Sequence, residues 1–284
     1  MSVDALQEKI RKTKNPCVLC LDAVGDCIPP QYAQQEDGSS AYYSALLRRL
    51  KGVIPAVRFS FGSFSLAGAD GIRMLTELLV LSKELGYYVI LDAPELLSVQ
   101  VAEQAARVLG AEDCGFAWDG LVLPAYGGSD VIKPFVKLAK SGKALFPVVR
   151  TANRSASELQ DLLSGNRLVH VAAADIISRL GEDCPGKFGY SQIGALASAS
   201  SADSLRSLRS KYPKMFLVLD GMDYPNANAK NCSFAFDKLG RGATACVGSA
   251  VIGAWKDTEE DCLEAAAQAA ERLKKNVTRY ITVL

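Results

Sequence analysis

Short apolar runs alternate with longer amphipathic stretches along the whole chain. The apolar runs predict eight strands, at residues 17–22, 53–59, 87–92, 120–123, 144–150, 192–197, 216–220 and 244–247. Apolar positions recurring at a helical period predict helices at residues 41–50, 71–85, 99–110, 131–141, 155–163, 168–180, 201–211, 232–239 and 258–276. Strands that are apolar on both faces and alternate with helices predict a parallel sheet covered by helices.

Eight strand-helix units are the number that closes a (β/α)8 TIM barrel, so we expect an α/β barrel. No long linker or low-complexity tract interrupts the pattern, which predicts a single domain over residues 1–284, with residues 1–15 as an N-terminal helical extension. A doubly wound open sheet is the alternative. Such a sheet usually has a glycine-rich first turn, and residues 22–26, DAVGD, lack the G-x-G-x-x-G pattern.

Charge and hydropathy exclude two classes of partner. The 32 Lys and Arg against 31 Asp and Glu give a net charge of +1, without the basic stripe that a nucleic-acid surface needs. The apolar runs are far shorter than the ~18 residues that a membrane-spanning helix requires. The amino-terminal residues also lack the layout of a signal peptide. We therefore expect a cytoplasmic protein that binds neither nucleic acid nor membrane.

The single histidine, His170, would have to carry any Ser-His-Asp or Cys-His mechanism, and we interpret it as an ordinary structural residue. The eight cysteines show no repeated spacing and are expected to be reduced, largely buried thiols. Cys17 and Cys20 form a C-x-x-C pair inside a predicted strand, where positions three apart face opposite sides. Neither residue type predicts a metal site or a cofactor.

Chemistry in a (β/α)8 barrel lies at the carboxyl ends of the strands. The residues at or just beyond the ends of the predicted strands are Asp22, Arg58, Asp92, Pro124, Arg150, Thr151, Ser198, Asp220, Gly221, Gly248 and Ser249. Charged groups gathered at one rim either neutralise each other or form a polar pocket. The pocket would suit a small ligand that is anionic or rich in hydroxyl groups.

Seven short segments follow one another along the chain: AVRF at 56–59, GADGIRML at 68–75, LGYYVILDA at 85–93, PAYGGSD at 124–130, VRTANRS at 149–155, FDK at 236–238 and GRGA at 240–243. In this order they resemble the orotidine 5'-phosphate decarboxylase family, specifically its longer bacterial branch. The resemblance implies a barrel, usually a homodimer, that converts orotidine monophosphate to UMP in pyrimidine biosynthesis without metal or organic cofactor. An active paralogue is a second partner that the resemblance suggests.

The catalytic motif departs from the family pattern. The family carries a lysine on the second strand and D-x-K-x-x-D-I after the third, and the motif lysine protonates the carbanion left by CO2. In this chain the second-strand position is Arg58, and residues 92–97 read DAPELL. Asp92 is kept, while Pro94 and Leu97 replace the lysine and the second acid. The catalytic candidates are therefore Arg58, Asp92 and Glu95, and none of them is an ammonium donor.

The family's phosphate site is also altered. Residues 220–227 read DGMDYPNA, which keeps Gly221 but introduces Asp223 and places Pro225 at the position of the family's glutamine. At the end of the eighth strand, after Gly248, Ser249 stands where the family has a phosphate-binding arginine. The resemblance implies that three other residues contact substrate: Asp22 at the ribose, and Thr151 and Asn153 near the pyrimidine.

Three functions remain open. The first is a homologue that has lost decarboxylation and binds another ligand or a protein partner. The second is an active decarboxylase that uses Arg58, Asp92 and Glu95, with Lys230 or Arg241 at the phosphate. The third is a different barrel enzyme, such as a lyase whose divalent metal is held by carboxylates; its ligands would be Asp22, Asp92, Asp220 and Asp223.

Overall fold

A computed structural model describes residues 1–22, 25–96, 98–223 and 227–281 of the chain. Eight strands form one parallel sheet: β1 Cys17–Leu21, β2 Ala56–Ser60, β3 Tyr88–Asp92, β4 Gly120–Leu123, β5 Ala144–Pro147, β6 Ala195–Ser198, β7 Leu217–Asp220 and β8 Ala243–Val247. Each predicted strand corresponds to one of them, and the bounds differ by a few residues at most.

The strands follow one another around the sheet in the order β5, β4, β3, β2, β1, β8, β7 and β6. Between β5 and β6 the sheet is closed by parallel bridges that pair Leu145 with Ile193 and Val148 with Leu196. The Leu145 amide donates to the Gln192 carbonyl at 2.9 Å, and the Val149 amide donates to the Leu196 carbonyl at 2.8 Å. The predicted single-domain (β/α)8 barrel is therefore confirmed.

The helices are α1 Val3–Thr13, α2 Pro30–Ala33, α3 Gly38–Arg49, α4 Phe61–Leu66, α5 Gly68–Glu84, α6 Val99–Leu109, α7 Val136–Lys140, α8 Val169–Gly181, α9 Ala202–Lys211, α10 Ala229–Ser233, α11 Ser249–Ile252 and α12 Cys262–Thr278. None of the helices in the described ranges is both long enough and apolar enough to cross a membrane.

Three helix predictions need correction. The helix predicted at 155–163 is wrong: the segment holds a 3-10 turn at Arg154–Glu158, followed by a hairpin of two short strands, Leu163–Ser164 and Arg167–Leu168. The helix at 131–141 is broken into two 3-10 turns and α7, because Pro134 interrupts its first part. The helix at 232–239 is replaced by α10, which ends at Ser233.

Two apolar layers make up the core. Side chains on the inward-facing positions of the strands fill the barrel, among them Tyr88, Phe146, Phe216 and Cys246. Helix α1 covers the amino-terminal end of the barrel and packs Val3, Leu6 and Ile10 against this inner layer. The outward-facing strand positions pack against the surrounding helices in a larger cluster. Apolar side chains and α1 thus close the amino-terminal end of the barrel, and in this fold the ligand site lies at the carboxyl end of the strands.

Candidate functional site

A pocket of about 320 Å³ lies at the carboxyl ends of β1, β2, β7 and β8. It brings together seven residues that the sequence predicted at the rim, which are Asp22, Arg58, Asp220, Gly221, Asp223, Gly248 and Ser249. Its other lining residues are Cys20, Cys27, Tyr43, Cys246 and Ile252. The parallel register explains this grouping, because strand ends that are distant in sequence meet at one rim.

Arg58 is the central charged group of this pocket. Its Nε lies 3.1 Å from Asp92 Oδ2, and its Nη1 lies 2.8 Å from Asp220 Oδ1. The same Nη1 donates to the Cys246 sulfur at 3.4 Å. Burial by itself would lower the pKa of Arg58, but Asp92 and its other neighbours raise it well above the usual value. The guanidinium therefore stays protonated and links the carboxylates of Asp92 on β3 and Asp220 on β7.

Asp92 has an acid strength unlike that of an exposed aspartate. Burial raises its pKa to about 6, against the opposing pull of Arg58 and with further help from Asp220, Glu95 and Asp22. Its side chain is 11% exposed, so little water solvates the charge. A carboxyl group of this kind changes its protonation state near neutral pH, which is one requirement of an acid-base catalyst.

Three cysteines line the pocket, Cys20, Cys27 and Cys246, and the sequence pattern placed none of them at the site. Cys20 hydrogen-bonds to Cys246, and this bond and burial raise the pKa of the Cys20 thiol well above its usual value. The Cys20 thiol is therefore protonated rather than nucleophilic. Cys17 packs in the outer apolar cluster, while Cys20 lies against the inner one. The expectation that the C-x-x-C pair faces opposite sides is therefore confirmed.

Asp223 reaches across from the β7 exit to the β8 exit. Its Oδ2 accepts a hydrogen bond from the Gly248 amide at 2.8 Å and a second from the Ser249 amide at 3.1 Å. Gly221 begins this turn with a φ of 83°, a conformation that favours glycine. Burial raises the pKa of nearby Asp22, with Asp220 and Asp223 adding to the effect against Arg58.

The remaining catalytic candidate, Glu95, is exposed and lies outside the pocket lining. Its carboxylate sits over Gly62 in α4, where a β-carbon would come within 2.0 Å of Oε1. Glu95 therefore acts on Asp92 through its charge only. Leu97 and Pro225, the positions at which the acid and the glutamine of the family are replaced, lie outside the described residues.

Thr151 and Asn153 lie after β5 and do not line the pocket. The Thr151 amide donates to Gln160 Oε1 at 2.8 Å, and the exposed Asn153 donates from Nδ2 to Ser155 Oγ at 2.9 Å. Both polar side chains thus have partners within their own loop. The sequence could not show this, because the predicted helix at 155–163 would have carried Gln160 away from Thr151.

A second charged cluster fixes this loop to the barrel. Arg150 holds Asp161 with two hydrogen bonds of 3.0 and 2.8 Å. His170 Nδ1 lies 3.2 Å from Asp161 Oδ1 and 3.0 Å from the Gln160 carbonyl, so this nitrogen carries a proton. His170 Nε2 lies 3.3 Å from Ser204 Oγ.

Ser204, His170 and Asp161 contact one another in the sequence of a Ser-His-Asp triad, but a substrate cannot reach them. His170 is 2% exposed and Ser204 is 7% exposed. A nucleophile must reach a substrate carbonyl, and neither residue lines the mouth pocket. The lone histidine is therefore structural: it ties the loop after β5 to α8 and α9.

The carboxylates at the mouth are poorly arranged for a divalent metal. Arg58 lies between Asp92 and Asp220, so the charges that would attract a cation are already neutralised by a guanidinium. In the ranges that the structure describes, no group of three or more His, Cys, Asp or Glu side chains could hold a metal ion.

The fold and the pocket define a single-domain (β/α)8 barrel with a charged site at the carboxyl ends of its strands. No family model matches the chain. A curated orotidine 5'-phosphate decarboxylase of Caldicellulosiruptor bescii is 23% identical over 300 residues, covering 98% of each chain. Another, from Clostridium novyi, is 25% identical over 263 residues and covers 90% of each chain.

A solved structure from Toxoplasma gondii, assigned as an orotidine-monophosphate decarboxylase, superposes with a TM-score of 0.83 at 20% identity. The superposition covers 98% of this chain and 96% of the Toxoplasma gondii chain. That likeness supports the fold, and the full-length sequence relatives support the kinship. Over nearly its whole length the chain is similar to curated members of the orotidine 5'-phosphate decarboxylase family.

Proposed function

We propose that this protein is a member of the family that binds a small polar ligand at the barrel mouth and does not decarboxylate orotidine monophosphate. One observation carries the proposal. Arg58, at the position of the family's second-strand lysine, is held between Asp92 and Asp220 at 3.1 and 2.8 Å. No lysine is found among the described residues that line the pocket.

The chemistry explains why this matters. Loss of CO2 leaves a carbanion, and the enzyme must deliver a proton to that carbon from a positioned donor. An ammonium of ordinary pKa can do so, whereas the pKa of Arg58 is raised well above its usual value by its carboxylate neighbours. A guanidinium of this kind can stabilise charge but holds its protons too tightly to transfer one.

The direct test is turnover of orotidine monophosphate. We expect the purified protein to form UMP no faster than the spontaneous reaction, measured by absorbance or by release of labelled CO2. The orotidine 5'-phosphate decarboxylase of Caldicellulosiruptor bescii, assayed in parallel, provides the positive control. A rate of about 1 to 10³ per second, ordinary for enzymes, would refute the proposal.

A rearranged decarboxylase is the second candidate, and the acidity of Asp92 favours it. A carboxyl group whose pKa is raised to about 6 can give up a proton near neutral pH. This candidate requires turnover that increases as the pH falls through about 6 and that disappears in Asp92→Asn, since an amide cannot donate this proton. The pH profile of the same assay therefore separates the two candidates.

We further propose that the protein forms a homodimer through the carboxyl face of the barrel. The loop after β5 exposes three leucines, Leu159, Leu162 and Leu163, by 57%, 51% and 72%. The hydrogen-bonded ion pair between Arg150 and Asp161 fixes this loop to the barrel. Exposed apolar groups on a well-fixed loop are typical of an interaction surface.

Light scattering after gel filtration should give about twice the chain mass of 30.4 kDa. Leu163→Glu should shift the protein to a monomer, because a charge would be desolvated at the interface. Val80→Glu, at a residue 42% exposed on α5, is the matched control and should leave the dimer intact. A wild-type monomer would contradict the homodimer, and capture of an active family member by that monomer would favour the paralogue instead.

A further inference from the structure

The mouth pocket carries more negative than positive charge. Three carboxylates, Asp22, Asp220 and Asp223, line it, and Arg58 is the one basic side chain among its described lining residues. Two donors of that guanidinium are already used by Asp92 and Asp220. An incoming anion would therefore find no basic group that is free of a carboxylate partner in this part of the site.

Asp223 also occupies two backbone donors that face the pocket. A single oxygen, Oδ2, accepts from the amides of Gly248 and Ser249 at 2.8 and 3.1 Å. Gly248 makes this close approach possible, since a β-carbon there would lie only 3.0 Å from the same oxygen. The carboxylate thus fills the position in which the oxygen of an anionic ligand could otherwise be held.

We propose that Asp223 is a specificity-determining residue that excludes phosphate and other anionic groups from the mouth pocket. An anion could reach the two amides only by displacing the carboxylate, and the displaced charge would remain within a few ångströms of it. The pocket therefore selects ligands that are neutral or cationic, such as a hydroxylated compound without a phosphate group. The inference rests on the proposed function only in taking this pocket as the ligand site.

Calorimetric titration tests the proposal by measuring the affinity of the protein for inorganic phosphate. UMP and uridine, which differ by one phosphate group, are titrated as two further probes. We expect Asp223→Ala to bind phosphate at least tenfold more tightly than the wild type, and to shift the preference between the pair toward UMP. Asp223→Asn removes the charge but keeps an acceptor oxygen for the two amides, so its affinity for phosphate should increase less than that of Asp223→Ala. Asp257→Asn, an exposed carboxylate outside the pocket, should behave like the wild type.

The proposal is wrong if the wild type binds phosphate as tightly as Asp223→Ala. It is equally wrong if both variants melt as folded proteins and neither gains affinity. If Asp223→Ala does not fold, Asp223→Asn decides, because it retains the hydrogen-bond acceptor. Turnover of orotidine monophosphate by the wild type would overturn both the proposed function and this selectivity, because that substrate carries a phosphate group. Phosphate binding by the wild type without turnover would overturn the selectivity alone, so failures of the two are distinguishable.

Discussion

Replacing Arg58 with methionine should lower the free energy of unfolding by about 3–5 kcal/mol near pH 7.5, the usual effect of removing one partner from a buried ion pair. The side chains of Arg58 and Asp92 are only 12% and 11% exposed, and that of Asp220 is 30% exposed. Methionine fills a similar volume but leaves both carboxylates without their guanidinium. Urea unfolding should show a lower midpoint with an unchanged slope, and the melting temperature should fall by roughly 10 °C.

The matched control is Arg73→Met. Arg73 forms an ion pair of 2.9 Å with Asp70, but the two side chains are 64% and 82% exposed. An exposed pair of this kind contributes at most about 1 kcal/mol, so the control should unfold close to the wild type. Equal losses in the two variants would mean that Arg58 is not the group that neutralises the mouth carboxylates.

The barrel could be predicted from the sequence because its signal is local. Each strand, such as β3 at Tyr88–Asp92, is an apolar run buried on both faces. Each run is followed by a segment with helical spacing, and this unit of strand and connecting segment repeats along the chain. The position of charged residues just after the runs follows from the same logic, so Asp22 and Arg58 could be expected at one rim. Strand ends in a parallel barrel must meet there, whichever residues they carry.

The partners of those residues could not be predicted, because they depend on contacts between distant segments. Asp220 lies 162 positions from Arg58, and Gly248 lies 25 positions from Asp223. No local pattern indicates which carboxylate a guanidinium will meet or that a side chain will reach two backbone amides. The loop after β5 is the clearest failure. Its residues have a helical spacing, but the contact of Asp161 with Arg150 and His170 favours a hairpin instead.

Replacing Asp92 with asparagine should change the stability in a way that depends on pH. Burial raises the pKa of Asp92 in the folded protein to about 6, above the 3.8 of an unperturbed aspartate. The folded state therefore binds this proton more tightly than the unfolded state does. The stabilisation that results is fully present below about pH 3.8 and is lost as the pH rises through about 6. The difference of about two pKa units corresponds to about 3 kcal/mol.

Asparagine has no proton to lose, so its unfolding free energy lacks this contribution. The free energy of Asp92→Asn minus that of the wild type should therefore rise by about 3 kcal/mol between about pH 4 and pH 7.5. Urea unfolding across that range measures the difference, with Asp203→Asn, at a side chain 96% exposed, as a control expected to stay flat. In an Arg58→Met background the rise should continue above pH 6, because Arg58 is the group that lowers the pKa of Asp92. A difference that stays constant with pH would show that Asp92 is charged throughout and cannot serve as the proton donor that the rearranged decarboxylase requires.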